Sequence, residues 1–239
     1  MKITILMSSP RKNGNTKQCL DPFCDELKNL GHAYQIFWLY DYQIDPCYAC
    51  RGCQKDWQHF ACVRRDDLEP IADAVFASDL IVLATPIYSW YCPGPMKNVL
   101  DRFVYGFNKY YGDEVGPSLW AGKKVALFVT CGYKPEHGAD LFEEGIKRYC
   151  KHSKLQYLSM FAERHLGYKT VFMDDKKSRP RQSLCPRNHR DGRSISADAK
   201  KASMKNHGSF FYGSPYASTT LMRCLMWFPF SISSTMAMA

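Results

Sequence analysis

Hydrophobic runs alternate with helical patterns along the first 172 residues. Two runs, KITILMSS and DLIVLATPIYSW, are rich in Ile, Leu and Val and end at loop residues, as buried parallel strands do. KKVALFVTCG has the same character, and YQIFWLY and LQYLSMFAERHLG predict two further strands. Apolar residues at helical spacing lie between the strands, over residues 16–30, 66–77, 95–107 and 139–152. We therefore predict an α/β fold, a doubly wound five-stranded parallel sheet with helices on both faces.

Polar and aromatic residues concentrate in three loops that leave the carboxyl ends of predicted strands. These loops span residues 8–16, 85–95 and 130–136. Open sheets of this kind bind ligands just beyond those ends, near the point where the strand order reverses. We therefore expect the functional site to be built from these three loops.

The first loop, SSPRKNGNT, is rich in hydrogen-bond donors. Ser9 and Thr16 offer hydroxyls, Asn15 an amide and Arg11 a guanidinium, while N–H groups at the start of the following helix favour an anion. Gly14 lets the chain turn closely there. These features predict a phosphate site, with a plain turn and helix N-cap as the alternative. The loop matches neither G-x-G-x-x-G nor the P-loop pattern, which disfavours dinucleotide binding and NTPase activity.

Three motifs resemble those of the flavodoxin-like NAD(P)H-dependent FMN reductases. SSPRKNGNT is similar to the family's FMN phosphate loop, and ATPIYSWYCPGPMKNVLDR is similar to its second flavin loop. CYACRGC followed by DDLEPI resembles the subgroup that includes the iron-sulfur flavoproteins. The resemblance covers residues 1–172 and stops near Asp175. It implies a flavodoxin-like FMN-binding domain over residues 1–172, with strand order 2-1-3-4-5.

The resemblance also implies that all three loops bind FMN. The residues concerned would be Ser9, Arg11, Asn15 and Thr16 at the phosphate, Pro86, Ile87, Tyr88 and Trp90 along the ring and ribityl chain, and Cys131 and Gly132 in the third loop. Aromatic walls with a few placed polar groups suit a flat apolar ring. For Tyr88 and Trp90, ordinary packing at the edge of the sheet is the alternative.

The chemistry that the resemblance implies is that of the flavin, so we nominate no catalytic residue in the protein. NAD(P)H would donate hydride, and the electrons would pass to a quinone, a nitro or azo compound, or a protein acceptor. The family further implies a homodimer or higher homo-oligomer. The aromatic segment of residues 105–122 is our candidate for its interface or for a cover over the flavin.

Four of the 11 cysteines form a close group, Cys47, Cys50, Cys53 and Cys62. Their spacing is similar to ferredoxin runs that bind a 4Fe-4S cluster, and it lacks the two separated ligand pairs typical of structural zinc sites. Eight residues separate Cys53 from Cys62, a longer interval than the family's motif has. Free thiols and a redox-active pair therefore stay open as alternatives to a cluster.

The net charge of +9 is concentrated at one end of the sequence. Residues 173–239 hold 11 Lys and Arg against 4 Asp and Glu, or +7, which leaves +2 on the residues before them. We therefore expect no nucleic-acid partner for the body of the protein. The basic and then apolar tail is predicted to be poorly ordered or to have left the family's reading frame.

Other features bear on location and on competing functions. No apolar stretch reaches the ~18 residues of a membrane span, and Met1 leads directly into a strand pattern without a signal peptide. We expect a cytoplasmic protein without a membrane partner. Two further function classes stay open, an iron-sulfur flavoprotein electron carrier and a cysteine-based redox sensor without reductase turnover.

Overall fold

The computed structural model of the protein describes residues 1–167, 172 and 173. The strands of this part are β1 (Lys2–Met7), β2 (Ala33–Trp38), β3 (Leu80–Pro86), β4 (Lys124–Cys131) and β5 (Gln156–Arg164). The helices are α1 (Asn15–Asn29), α2 (Leu68–Ala77), α3 (Gly94–Phe107), the single turn α4 (Pro135–Gly138) and α5 (Asp140–His152). Each predicted strand and helix is present. The predicted tail, apart from its first residue, lies outside the described residues.

The five strands form one parallel sheet in the order β2-β1-β3-β4-β5. This arrangement confirms the predicted flavodoxin-like order 2-1-3-4-5. Strands β1 and β3 lie inside the sheet, and their unbroken apolar runs follow from burial on both faces: all seven residues of β3 are buried. Strand β5 forms one edge, and most of its side chains are half-buried.

Helices cover both faces of the sheet, as predicted. Successive side chains of a strand point to opposite faces, so Ile5 packs with the α1 residues Leu20 and Phe23, whereas Leu6 packs with residues of α2, α3 and α5. Burying one such Leu or Phe side chain is worth about 1.5–3 kcal/mol. These two cores fix the strand ends from which the predicted site loops depart. No helix among the described residues combines the length and the apolar character that crossing a membrane would need.

The aromatic segment of residues 105–122 contributes its two largest buried rings to the core. Phe107 and Trp120 are both buried and stack with their ring centroids 4.7 Å apart. Trp120 Nε1 also donates to Asn108 Oδ1 at 3.0 Å. The prediction that this segment forms an oligomer interface or covers a flavin is therefore wrong for these two rings. Aromatic content alone does not reveal whether a ring packs inward or outward.

Candidate functional site

Hydroxyl groups tie the three predicted site loops together at the carboxyl edge of the sheet. Because β1, β3 and β4 are neighbours in the sheet, the loops that follow them adjoin. Ser8 Oγ donates to Thr85 Oγ1 at 2.8 Å, and the hydroxyls of Thr16 and Thr130 lie 2.8 Å apart, also hydrogen-bonded. All four side chains are buried. The structure thus brings together the three loops that the sequence indicated, through contacts that the sequence did not reveal.

The first loop presents unused donors towards solvent. Ser9 is buried and bonds with the backbone of Arg11, and the Gly14 N–H donates to the Arg11 carbonyl at 3.1 Å. A Cβ on Gly14 would lie only 3.0 Å from Arg11 Cβ, so this close turn suits glycine. Helix α1 begins at Asn15 without a side-chain cap, which leaves its first N–H groups available. An exposed guanidinium beside such a helix start fits a phosphate.

The second loop is a tight turn that projects aromatic rings outward. Tyr88 and Tyr91 exchange two backbone hydrogen bonds of 2.9 and 3.1 Å, and the two residues between them, Ser89 and Trp90, have φ values of 51° and 63°. Non-glycine residues adopt this conformation rarely and at an energetic cost, and such sites often serve function. Tyr88 and Trp90 are 49% and 48% exposed. Neither ring is therefore buried in the core.

The third loop adds a second aromatic wall. Tyr133 stacks on Trp90 with centroids 5.8 Å apart and planes 8° from parallel, while Trp90 Nε1 donates to the His137 carbonyl at 3.1 Å. Tyr40, which follows β2, is also exposed, and its pKa is raised by partial burial and by the nearby Tyr88. Sequence reasoning missed Tyr40 and Tyr133. Each stands two residues past a strand's carboxyl end, which is the signal that could have identified them.

The remaining predicted residues of the flavin loops lie at the strand ends. Pro86 ends β3, and the N–H of the half-buried Ile87 donates to the Thr130 carbonyl at 2.8 Å. Cys131 ends β4, and its buried Sγ donates to the Tyr133 carbonyl at 3.2 Å. Burial raises the pKa of the Cys131 thiol to about 11, which disfavours the reactive thiolate. Gly132 is exposed beyond it. Hydrogen-bond donors in the first loop and aromatic rings in the second and third suit the chemistry of FMN.

The four predicted cysteines lie around one cavity. Cys47, Cys50, Cys53 and Cys62 line one shared hollow that opens to solvent, and all four are free thiols. Across residues 1–167, 172 and 173, no three Cys, His, Asp or Glu side chains converge on the position of a single metal ion. A cubane cluster spreads its four thiolate ligands wider than one ion does. The set therefore fits such a cluster by donor type and by its shared cavity.

The eight residues between Cys53 and Cys62 fold back against the end of α3. Gln54 donates from Nε2 to the carbonyls of Tyr105 and Asn108, at 2.6 and 3.1 Å. The Phe60 ring packs against the rings of Phe103 and Phe107. This packing accommodates the eight residues between Cys53 and Cys62. Phe60 thus faces the core.

Gly106 makes that packing testable. A Cβ added at Gly106 would overlap the Phe60 ring, so Gly106→Ala should destabilise the protein by about 1–3 kcal/mol through overpacking, although alanine is the better helix former. Gly94→Ala in the same helix is the matched control, because nothing lies within 4 Å of its Cβ. Thermal unfolding followed by circular dichroism measures both. Equal melting temperatures for the two variants would contradict the packing.

Comparison with known proteins places the chain in a family. The sequence model of the family described as NADPH-dependent FMN reductase matches residues 1–144. An iron-sulfur flavoprotein of Archaeoglobus fulgidus is 32% identical over 150 residues, covering 62% of this chain and 64% of the relative. Another from that organism is 35% identical over 102 residues, covering 43% and 48%. The chain thus spans about half to just under two thirds of the length of these relatives.

Solved structures agree on the fold. An NAD(P)H:quinone oxidoreductase from Methanothermobacter marburgensis superposes with a TM-score of 0.55 at 17% identity, covering 76% of this chain and 92% of that one. At that identity the likeness establishes the flavodoxin-like fold. Since the family match extends over more than half of the chain and the fold agrees with it, the protein belongs to the NADPH-dependent FMN reductase family.

Proposed function

We propose that the protein is an FMN-dependent oxidoreductase that takes electrons from NAD(P)H and passes them to a quinone, a nitro or azo compound, or a protein acceptor. The observation that carries this proposal is the carboxyl edge of the sheet. There, the first loop carries the uncapped start of α1 and the exposed Arg11, and the neighbouring second loop, tied to it by the Ser8–Thr85 hydrogen bond, carries the half-exposed rings of Tyr88 and Trp90. Membership of the FMN reductase family supports the choice of cofactor.

The first loop would hold the phosphate of FMN. Arg11 supplies charge, and Asn15 and the N–H groups at the start of α1 supply hydrogen bonds. The buried Ser9 hydroxyl bonds the Arg11 backbone and would shape the loop around the phosphate. Thr16 acts mainly through its bond to Thr130, which fixes the first loop against the third. These groups bind and orient the cofactor, and no side-chain acid or base is required of them.

The second and third loops would hold the flavin ring. Pro86, Ile87 and the third-loop residues Cys131 and Gly132 offer backbone groups at the strand ends, and Tyr88 and the Trp90–Tyr133 stack offer flat apolar surface. Bound FMN would supply the hydride chemistry. The exposed side of these rings leaves room for a nicotinamide or for a second copy of the chain, in line with the proposed homo-oligomer.

The visible spectrum of the purified full-length protein tests this function, together with NADH or NADPH oxidation by a quinone under anaerobic conditions. We expect flavin absorption, FMN released on denaturation, and turnover that depends on added quinone. A protein that neither carries FMN nor takes it up from solution would overturn the proposal. A protein that binds FMN but oxidises neither NADH nor NADPH would be a flavin carrier and not a reductase.

A second candidate function is that of an iron-sulfur flavoprotein, an electron carrier with a 4Fe-4S cluster. Four free cysteines on one cavity favour it, and so do relatives named iron-sulfur flavoprotein. Cys47, Cys50, Cys53 and Cys62 would hold the cluster, which supplies one-electron chemistry. Iron and sulfide analysis separates it from a cysteine-based redox sensor, which would form disulfides reversibly without binding iron.

A further inference from the structure

A fully buried lysine lies behind the cysteine cavity. Lys109 follows α3, and its Nζ donates to the carbonyl of Cys53 at 2.9 Å and to the carbonyl of Phe60 at 3.4 Å. Lys109 therefore ties together the two ends of the segment between Cys53 and Cys62. Within the part of the chain that the structure describes, no carboxylate lies within ion-pair distance of this ammonium group.

A buried arginine lies on the wall of the same cavity. Arg102 Nη2 donates to Cys62 Sγ at 3.3 Å and to the Arg64 carbonyl at 3.4 Å. Its Nη1 bonds the carboxylate of Asp66 and, at 3.4 Å, the carbonyl of Asp45. Its Nε is buried and has no acceptor among the described residues. Arg102 thus contacts the fourth cysteine directly while retaining an unused donor.

The buried charges around the cavity do not balance. Arg102 and Lys109 are two buried cations, and Asp66 is the buried carboxylate that pairs with one of them. The Arg64–Asp45 pair at the rim is neutral as a unit. A buried charge is costly unless an opposite charge offsets it. The surplus positive charge therefore fits an anionic occupant, and a cubane held by four thiolates carries net negative charge.

We propose that Lys109 and Arg102 are positioning residues for an anionic iron-sulfur cluster in this cavity, and that they raise its reduction potential. Lys109 fixes the interval after Cys53, and Arg102 holds the sulfur of Cys62. Nearby positive charge and N–H···S bonds stabilise the more negative, reduced cluster. This inference rests on the second candidate function.

Three variants of the full chain test it. Lys109→Met removes the buried charge at nearly constant length, and Arg102→Lys keeps the charge but cannot reach both Asp66 and Cys62. Lys97→Met on α3 is the control, because it removes an exposed charge whose partner is Asp101. Each chain is loaded anaerobically with ferrous iron and sulfide. Iron per chain is measured, and a redox titration followed by electron paramagnetic resonance gives the potential; each cluster takes one electron from the added chemical reductant.

For Lys109→Met we expect a tenfold shift of the one-electron equilibrium towards the oxidised cluster, which corresponds to about 59 mV. Arg102→Lys should shift it in the same direction by less and should lose iron faster, whereas Lys97→Met should match the wild type. Without iron, Lys109→Met removes the cost of a buried charge but leaves the carbonyls of Cys53 and Phe60 without this donor, so its melting temperature serves to check that the fold is retained.

The outcomes separate the inference from the function on which it rests. A wild-type chain that takes up no iron and sulfide would overturn both the iron-sulfur function and this inference. A wild-type chain that assembles a cluster, with unchanged potentials and iron retention in Lys109→Met and Arg102→Lys, would overturn the inference alone. If Lys109→Met fails to fold, the Arg102→Lys variant alone tests the inference, through its cluster potential and its iron retention.

Discussion

Replacing both Arg11 and Thr16 with alanine should weaken FMN binding at least tenfold. A hydrogen bond to a charged group is worth about 1.5–3 kcal/mol, and a tenfold loss of affinity corresponds to about 1.4 kcal/mol. Arg11 is exposed beside the uncapped start of α1, so its loss removes charge from the proposed phosphate site. The Thr16 hydroxyl bonds Thr130, so its loss loosens the first loop. Fluorescence titration of the flavin-free protein measures the effect.

Two controls sharpen this prediction. Lys28→Ala removes the same charge from the far end of α1, ~20 Å away, and should leave FMN affinity unchanged because that distance exceeds the screening length. Thr130→Val removes the other partner of the Thr16–Thr130 hydrogen bond. It should therefore weaken FMN binding by as much as Thr16→Ala alone does. If the double variant bound FMN as tightly as the wild type, the first loop would not be the phosphate site.

The sequence contained enough information for the strands and helices because their signals are local. The apolar runs of β1, β3 and β4 are nearly continuous, which only strands buried on both faces require. The three loops that follow them could be identified for the same reason. The order of the strands is not local, and it came from the resemblance to a family. The contacts between the loops, such as Thr16 with Thr130, join residues far apart in sequence and had no signal of their own.

Burial of single side chains was the least predictable feature. Lysine is among the residues least often buried, so nothing in the sequence marked Lys109 as fully enclosed. The burial of aromatic residues was equally hard to predict: Trp120 lies in the core while Tyr133 lies at the surface. Asp66 lies just before α2 and accepts a hydrogen bond from the Leu68 N–H.

Replacing Arg102 with alanine should lower the free energy of unfolding by about 3–5 kcal/mol, because it leaves a buried carboxylate without its partner. The side chains of Arg102 and Asp66 are 1% and 5% exposed, and they lie 36 residues apart in the chain. Lys97→Ala breaks an exposed pair on the same helix and should cost no more than about 1 kcal/mol. Denaturant unfolding of the iron-free protein measures both. Adding Asp66→Asn to the Arg102 variant should recover part of the loss, since the unpaired charge is then gone.

The pH dependence of this variant distinguishes a lost ion pair from lost packing. In the wild type, burial raises the pKa of Asp66, but the bonds from Arg102 and from the N–H groups of Asp45 and Leu68 outweigh burial and lower it. Its contribution to stability is therefore complete above the unfolded-state pKa of about 3.9 and is lost as the pH falls below that value. Without the arginine, burial dominates and the carboxyl favours its neutral form, so acidification stabilises the variant. The gap in unfolding free energy between Arg102→Ala and the wild type should narrow from pH 7 to pH 4. A gap that stays constant would mean that Arg102 stabilises the fold through packing, and not through its charge.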